Sequence, residues 1–549
     1  MQSLCNFMKK DPKMKRLLAR KSVAIIIGLL FVSVWSASFI SAQERVMLVA
    51  DPHVLAGSLI ENGSAMDEMM AGQRKMLDIS EAAFVAMVDT ALVYKPALVL
   101  IPGDLTKDSE MASHDVVLHQ LQRLKDAGIN TLLIPGNHDI ESNAYAYRGD
   151  ETIAVECLTD QQWESKYAMV YEHALAKDPN SHSYVAEPMN GVTIIGIDAA
   201  HKAGEGYLSD ETLQWILQQA DMARTKGNMI IAMAHWQLLE HVDKGGVTME
   251  SGRLLNADHV RDQLMMHGVR LLLTGHMHIN SISTYRDTLH MSTDSIVEIS
   301  TGAPITYPCP YRWLTIADDR TTVDVQTDNL TALPPYDDLT HYSREWMREH
   351  VNVIIPALSV RLYDQAEDVI ENYIVTNVPM GGAIFNMLKN VLPQTDEAKV
   401  ELVKKHMGTT IVELYLLHSD ANEPKHTTAD SLAQAMYTGA SNMIHELTDG
   451  VMKNYASMQQ VMIDMVCNTL KEPIQSLVED RTHWASTYHS DRTDDLRITL
   501  LINEPLQPTG LQHTSTPKDH VQYDILGRRV SNTQTTNTIY IQHGRKIMQ

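Results

Sequence analysis

Five short apolar runs in the first half of the chain each end in a small polar motif, and that pairing restricts the fold more than any other feature. Val46–Ala50 leads into Asp51-Pro52-His53, and Ala97–Ile101 leads into Gly103-Asp104. Thr131–Ile134 leads into Gly136-Asn137-His138-Asp139, Met229–Ala232 into Ala234-His235-Trp236, and Val269–Leu273 into Gly275-His276-Met277-His278. Apolar runs of this length, bounded by Gly, Pro and Asp, read as buried strands. Helical stretches at Ser80–Tyr94, Met111–Ala127, Ser209–Thr225 and Asp258–His267 lie between them, with a further strand at Val192–Ile197. Alternation of strand and helix predicts an α/β fold with a parallel or mixed sheet and helices on its faces. In such sheets the carboxyl ends of the strands open on one crevice, so the five motifs are expected to converge.

The residue types at those ends suit metal ions. Asp, Asn and His offer oxygen and nitrogen donors of intermediate hardness, which fit Mn, Fe or Zn better than Ca or a thiolate-seeking metal. A carboxylate such as Asp104 can bridge two dications and offset their repulsion. Two divalent metal ions ~3.5–4 Å apart can clamp the attacking and leaving oxygens of a phosphoryl group. Glycines beside the donors permit close backbone approach. Neither a Gly-x-Ser-x-Gly elbow nor a Walker loop occurs, so hydroxide attack is expected in preference to a covalent enzyme intermediate.

In order and in type, the five blocks resemble those of the calcineurin-like metallophosphoesterases: D-x-H, G-D, G-N-H-[DE], a lone H, then G-H-x-H. The resemblance implies a two-sheet sandwich flanked by helices, with one metal on Asp51, His53, Asp104 and His278. It implies a second metal on Asp104, Asn137, His235 and His276. His138 would stand outside the metal shell and stabilise the phosphate or protonate the leaving oxygen, with Asp139 orienting it. Asp104 is followed by Leu105-Thr106-Lys107-Asp108, unlike the Asp-Arg-Gly of serine/threonine protein phosphatases. Lys107 stands where purple acid phosphatases carry a metal-binding Tyr. The flanks Ile101–Thr106, Ile134–Ile140 and Ser181–Val185 look more like exported bacterial phosphoesterases of the cyclic-nucleotide phosphodiesterase-like branch. The expected reaction is hydrolysis of a phosphate ester by hydroxide held between two metals, a diester before a monoester. Two alternatives stay open: a phosphomonoesterase or nucleotidase with the same metals, and a surface interaction protein that keeps the metal site for structure. Arg148 is a candidate phosphate contact or a solvated loop residue, and Trp236 a stacking surface or pocket wall.

The remaining chain divides by composition. Residues 1–42 carry seven basic residues and one acid ahead of the apolar run Val23–Ile40, then Ser41-Ala42, the pattern of a secretory signal; an uncleaved anchor is the alternative. The catalytic domain is expected at 43–332, with the segments around Ser281–Arg286, Ser295–Ser300, Tyr311–Ala317 and Thr322–Thr327 forming a second, more antiparallel sheet. Pro334-Pro335 opens an all-helical domain, 333–481, whose methionines read as core packing. Residues 482–549 form a small β tail, with strand-like pieces at Leu496–Ile502 and Thr538–Gln542. The segments Tyr523–Val530, Ile539–Gln542 and Gly544–Ile547 resemble the C-terminal sorting domain of Bacteroidetes secreted proteins, which implies export by a secretion machinery to periplasm, cell surface or medium. The formal net charge of -23 opposes binding to a long nucleic acid and leaves a small phosphate ester as the expected partner, since bound metal reverses the local field. Four scattered Cys without a CxxC pair exclude a zinc-finger or disulfide-scaffold reading.

Overall fold

The structure is a computed structural model. It describes residues 44–199, 206–241, 252–286, 295–350, 355–390, 392–421, 427–452, 456–476, 489–491, 495, 497–502, 522–524, 529–530, 539–542 and 545–548. The expected secretory segment, 1–42, lies outside the described residues.

Two sheets carry the catalytic part. The first has six strands in the order Arg497–Leu501, Thr322–Asn329, Pro310–Ile316, Glu44–Leu48, Leu98–Ile101 and Asn130–Leu133. Its last three strands run parallel. The second has eight: His489–Asp491, Ser281–Arg286, Ser295–Ser300, Leu271–Thr274, Met229–Ala234, Val192–Ile197, Tyr184–Met189 and Ala174–Lys177. Its four central strands, from Ser295–Ser300 to Val192–Ile197, are also parallel. Parallel strands need both faces covered, and Leu98–Ile101, Leu271–Thr274 and Met229–Ala234 are buried at every position. Leu48, Leu100 and Leu132 of the first sheet share one apolar core with Ile194, Ile231 and Leu273 of the second, which makes the pair a sandwich.

Helices close the outer faces. Ser80–Tyr94 and Met111–Asp126 add Phe84, Val117 and Leu121 to the shared core. Asp210–Lys226 and Ala257–Met266 place Leu213, Ile216, Val260 and Leu264 against Ile195, Ile230 and Leu272 of the second sheet. The Asp210–Lys226 helix shows how local sequence sets such boundaries. Ser209 Oγ accepts from the Thr212 amide, two acids occupy the first turn, and Gly227 at φ 77 ends it.

Two expectations change. The four strand segments after Ser281 do not form a sheet of their own: the first two join the eight-stranded sheet and the last two join the six-stranded one. Arg497–Leu501, expected in the β tail, pairs antiparallel with Thr322–Asn329, and His489–Asp491 pairs with Ser281–Arg286. After the helical region the chain thus returns and covers one edge of each sheet, which removes unpaired edge groups. Asp495 anchors the return: its carboxylate accepts from the Ile282 amide and its carbonyl from Arg312 Nη1. Residues 522–524, 529–530, 539–542 and 545–548 form a separate four-stranded antiparallel sheet.

The helical region comprises Leu339–His350, Ile355–Asn377, Gly381–Lys389, Asp396–Asp420, Thr427–Met452 and Ala456–Ser476. Tyr363, Ile374, Val403, Met407, Met443 and Met462 build its own core, so those methionines pack as expected. It meets the catalytic part where Tyr307 packs with Met347 and Leu416, and where the Tyr307 hydroxyl donates to Asp420. No helix among the described residues is long and apolar enough to cross a membrane.

Candidate metal centre

Each expected donor follows the carboxyl end of a parallel strand. Asp51 and His53 follow Glu44–Leu48, Asp104 follows Leu98–Ile101, and Asn137 follows Asn130–Leu133. His235 follows Met229–Ala234, and His276 and His278 follow Leu271–Thr274. The sandwich points the first three ends and the last two at one place. Asp51, His53, Asp104 and His278 form one group with donor atoms within 4.8 Å of one another, and Asp104, His235 and His276 form a second. Asn137 completes the second group, its Oδ1 lying 3.0 Å from His235 Nε2 and 3.1 Å from His276 Nδ1.

Asp104 is the shared member. Its Oδ2 lies 3.3 Å from both His53 Nε2 and His235 Nε2. Its Oδ1 accepts from the His138 amide at 3.0 Å, which leaves Oδ2 free for the pocket. Asp51 is held in the same way by the His276 amide, 2.9 Å from Oδ1 and 3.0 Å from Oδ2. His235 Nδ1–H donates to the Pro102 carbonyl at 2.9 Å, so its Nε2 lone pair faces inward. His276 packs against Trp236, ring centroids 3.8 Å apart and the planes tilted by 38°.

The backbone is strained here. Asp51, His53, Asp104, His276 and His278 all have φ between 41° and 69°. Left-handed backbone costs a non-glycine residue ~1–2 kcal/mol, and such strain gathers where function requires it. Glycines supply the space. A Cβ on Gly136 would lie 2.1 Å from Asp104 Oδ1, and one on Gly275 would lie 2.3 Å from Asp51 Oδ2. Gly103, at φ 91, would meet both Gly136 and His235 Nδ1.

The electrostatics test whether cations fit. Burial holds the His53, His276 and His278 imidazoles well below their usual range, so their lone pairs are free. Burial also pushes Asp104 up, but His235, His138 and His53 outweigh it and keep the carboxylate ionised. Burial raises Asp51 to about 7, partly offset by His235. His235 is pushed down by burial but lifted to about 9 by Asp104 and Asp51. Imidazole nitrogens face each other at 3.0 Å (His53 and His278) and 3.1 Å (His235 and His276). Lone pairs crowded around ionised carboxylate, with neutral imidazoles predominating, are the protonation states that two dications require. The residues fit a dimetal centre.

His138 stands beside the donors, its ring centroid 4.9 Å from that of His53. The expected contact from Asp139 to this ring does not form. Asp139 is fully buried and accepts from the Thr106 amide and hydroxyl and the Gly136 amide, at 2.9, 3.1 and 2.8 Å. It ties the second and third strand-end loops together. Asp108 takes the expected role: its Oδ1 accepts from His138 Nδ1–H at 2.6 Å. Next along the chain from a strand end, a side chain turns inward; reaching His138 takes a residue from the neighbouring loop. Arg148 ends the strand Tyr145–Arg148, and its guanidinium is engaged by Glu61 and the Ser58 carbonyl, so it is not the solvated loop residue of the alternative reading.

Three residues carried no sequence signal. Besides Asp108, buried Glu298 accepts from the Leu238 and Leu239 amides and from the Thr274 hydroxyl, which joins the loop after His235 to the strand before His276. Lys75 Nζ lies 3.5 Å from His53 Nδ1. None belongs to a motif, because each acts across more than 20 residues of chain.

Residues 44–280 match the calcineurin-like phosphoesterase family. They form a calcineurin-like phosphoesterase domain. No curated protein matches the chain. Among solved structures, similarity extends to a dimetal phosphatase from Danio rerio, 13% identical, covering 52% of this chain and 95% of that one, TM-score 0.39. A purple acid phosphatase from yellow lupin (Lupinus luteus) seeds is 14% identical over 52% of each chain, TM-score 0.34. The phosphopantetheinyl hydrolase of Mycobacterium tuberculosis is 13% identical over 48% of this chain and 92% of that one, TM-score 0.26. The family's metal-dependent phosphoester chemistry agrees with two donor groups that could each hold a metal ion.

Proposed function

We propose that this protein hydrolyses phosphate esters with two divalent metal ions, Mn, Fe or Zn, and that its substrate is a small phosphodiester. The observation that carries the reading is the carboxylate oxygen of Asp104 shared between two donor groups. Two dications bound there would supply Lewis acidity and lower the pKa of water. Asp51, His53 and His278 would hold one, and Asn137, His235 and His276 the other. His138, fixed through Nδ1 by Asp108, would hold a proton at Nε2 and deliver it to the leaving oxygen.

Room for a second ester group supports the diester. A cavity of about 620 Å³ opens at Gly136 and Asn137 and runs between Asp160, His182, Asp198 and Tyr207. That volume holds a drug-sized ligand. The basic and apolar composition of residues 1–42 and the tail sequence support export, with the tail as the handle for a secretion machinery. The acidic charge favours a small substrate over a long nucleic acid.

Metal-loaded protein should hydrolyse bis(p-nitrophenyl) phosphate faster than p-nitrophenyl phosphate. The reverse order makes it a monoesterase, and hydrolysis of neither ends the enzyme reading. Asp104→Asn should abolish turnover and weaken binding of both metals; full activity in that variant removes the ligand assignment.

A further inference from the structure

A cation stands at the metal-one donors without a part in the machinery above. Lys75 Nζ lies 3.5 Å from His53 Nδ1, and Arg74 is its chain neighbour. Neither side chain meets a carboxylate among the described residues. Lys107, Arg123, Arg148 and Lys399, by contrast, all find acids. Arg74 instead donates from Nη1 to the Tyr415 hydroxyl and lies over that ring, 5.5 Å from its centroid. Tyr415 belongs to the Asp396–Asp420 helix, so the helical region holds the cation next to Lys75 in the chain.

His53 gives Lys75 no lasting partner. If His53 binds metal through Nε2, its Nδ1 carries the proton and faces the ammonium as a second donor. Bound dications then add positive charge beside Lys75, which feels the Asp104 and Asp108 carboxylates but makes no ion pair with either, and an incoming anion would offset it. The cavity at Asn137 has the opposite character: Asp160, Glu164, Asp178 and Asp198 line it, with Lys177 committed to Glu164. Extra negative charge on a substrate is therefore disfavoured there and favoured at Lys75.

We propose that Arg74 and Lys75 form a subsite for a second phosphate next to the scissile one, as in a diester of diphosphate. The planar fork of Arg74 and the point charge of Lys75 suit phosphate oxygens. The neutral or hydroxyl-rich end of the substrate then occupies the cavity at Asn137. This rests on the phosphoester reading and narrows its substrate class. It also gives the helical region a task, since Tyr415 positions Arg74.

The test is calorimetric titration of the Mn-loaded full chain with methylenebisphosphonate, phosphonoacetate and methylphosphonate. Lys75→Met should weaken methylenebisphosphonate about tenfold or more and methylphosphonate only about threefold or less, the loss of one charge-assisted contact. Lys75→Gln serves as the second neutral variant, and Lys75→Arg should retain the preference. Tyr415→Phe keeps both cations but frees Arg74, and should give a smaller selective loss. Metal content by elemental analysis checks that each variant still holds two ions. Equal weakening of all three ligands, or none, overturns the subsite; a phosphonoacetate loss as large as that of the bisphosphonate overturns its assignment to phosphate. Because binding is read directly, absence of ester hydrolysis in the parent protein would sink the enzyme reading without touching this result.

Discussion

Gly136→Ala tests the geometry of the metal centre with one methyl group. The new Cβ would lie 2.1 Å from Asp104 Oδ1 and 2.3 Å from the Asp104 amide nitrogen. Ordinary nonbonded contacts lie near 3.5–4.0 Å, so relief requires a movement of about 1 Å. Rotating the carboxylate is not enough, because the amide nitrogen is backbone. One of the two loops must shift, and both carry donors: Asp104 serves both groups and Asn137 serves the second. The Gly136 amide also donates to Asp139, so the tie between the loops is stretched as well. Overpacking of this kind costs about 1–3 kcal/mol of stability. A 1 Å misplacement of reacting groups costs about 10²-fold in rate. We expect kcat/KM on bis(p-nitrophenyl) phosphate to fall about 100-fold or more, with both metals bound more weakly in equilibrium dialysis. Gly382→Ala is the control: Gly382 is an exposed helical glycine with nothing within 4 Å of its Cβ position, so the variant should match or slightly exceed the parent in stability. If Gly136→Ala retains two tightly bound metals and the parental rate, the shared role of Asp104 is wrong.

Other expectations follow from neighbouring contacts. Gly275→Ala crowds Asp51, which belongs only to the first donor group, so one equivalent of metal should be lost before the other on stepwise dialysis. Asp108→Ala should lower kcat about 10–100-fold with two metals retained, since it frees only the His138 ring. Asp139→Ala should instead lower stability by about 1–3 kcal/mol in urea, as it leaves the Thr106 and Gly136 amides without their acceptor. His114 is buried against Tyr167 and the Asp139 carbonyl, and burial lowers its pKa from 6.5 to about 3. Its folded form is neutral, so its contribution is present above pH 6.5 and is lost as pH falls, by about 2 kcal/mol at pH 5. Metal-free His114→Gln should show a correspondingly shallower loss between pH 6.5 and 5 than the metal-free parent; equal slopes would refute it.

The parts legible in sequence are those governed by short spans. An apolar run of four or five residues bounded by Gly or Asp has little choice but a buried strand, and all five motif-bearing runs are strands to within two residues at either end. The common direction of parallel strands also made the five motifs converge, while the donor set itself was what their resemblance to calcineurin-like phosphoesterases implied. Asp139 marks where this logic stops. Its place in the motif suggested a partner for His138, but the adjacent residue faces the opposite loop, and Asp108, 30 residues away in sequence, makes the contact.

By itself, then, the sequence determined the strands, the helices between them, and that the five strand-end motifs meet in one place. These depend on local hydrophobic pattern and on the common direction of parallel strands. Only the tertiary structure decided which sheet Ser281–Arg286 and Pro310–Ile316 join, and that Arg497–Leu501 returns across the whole helical region to close an edge. It also brought Lys75 to His53 and Tyr415 to Arg74. Such pairings are set by the competition among distant surfaces for the same buried area, and a strand or a lone cation carries no local mark of which partner it will win.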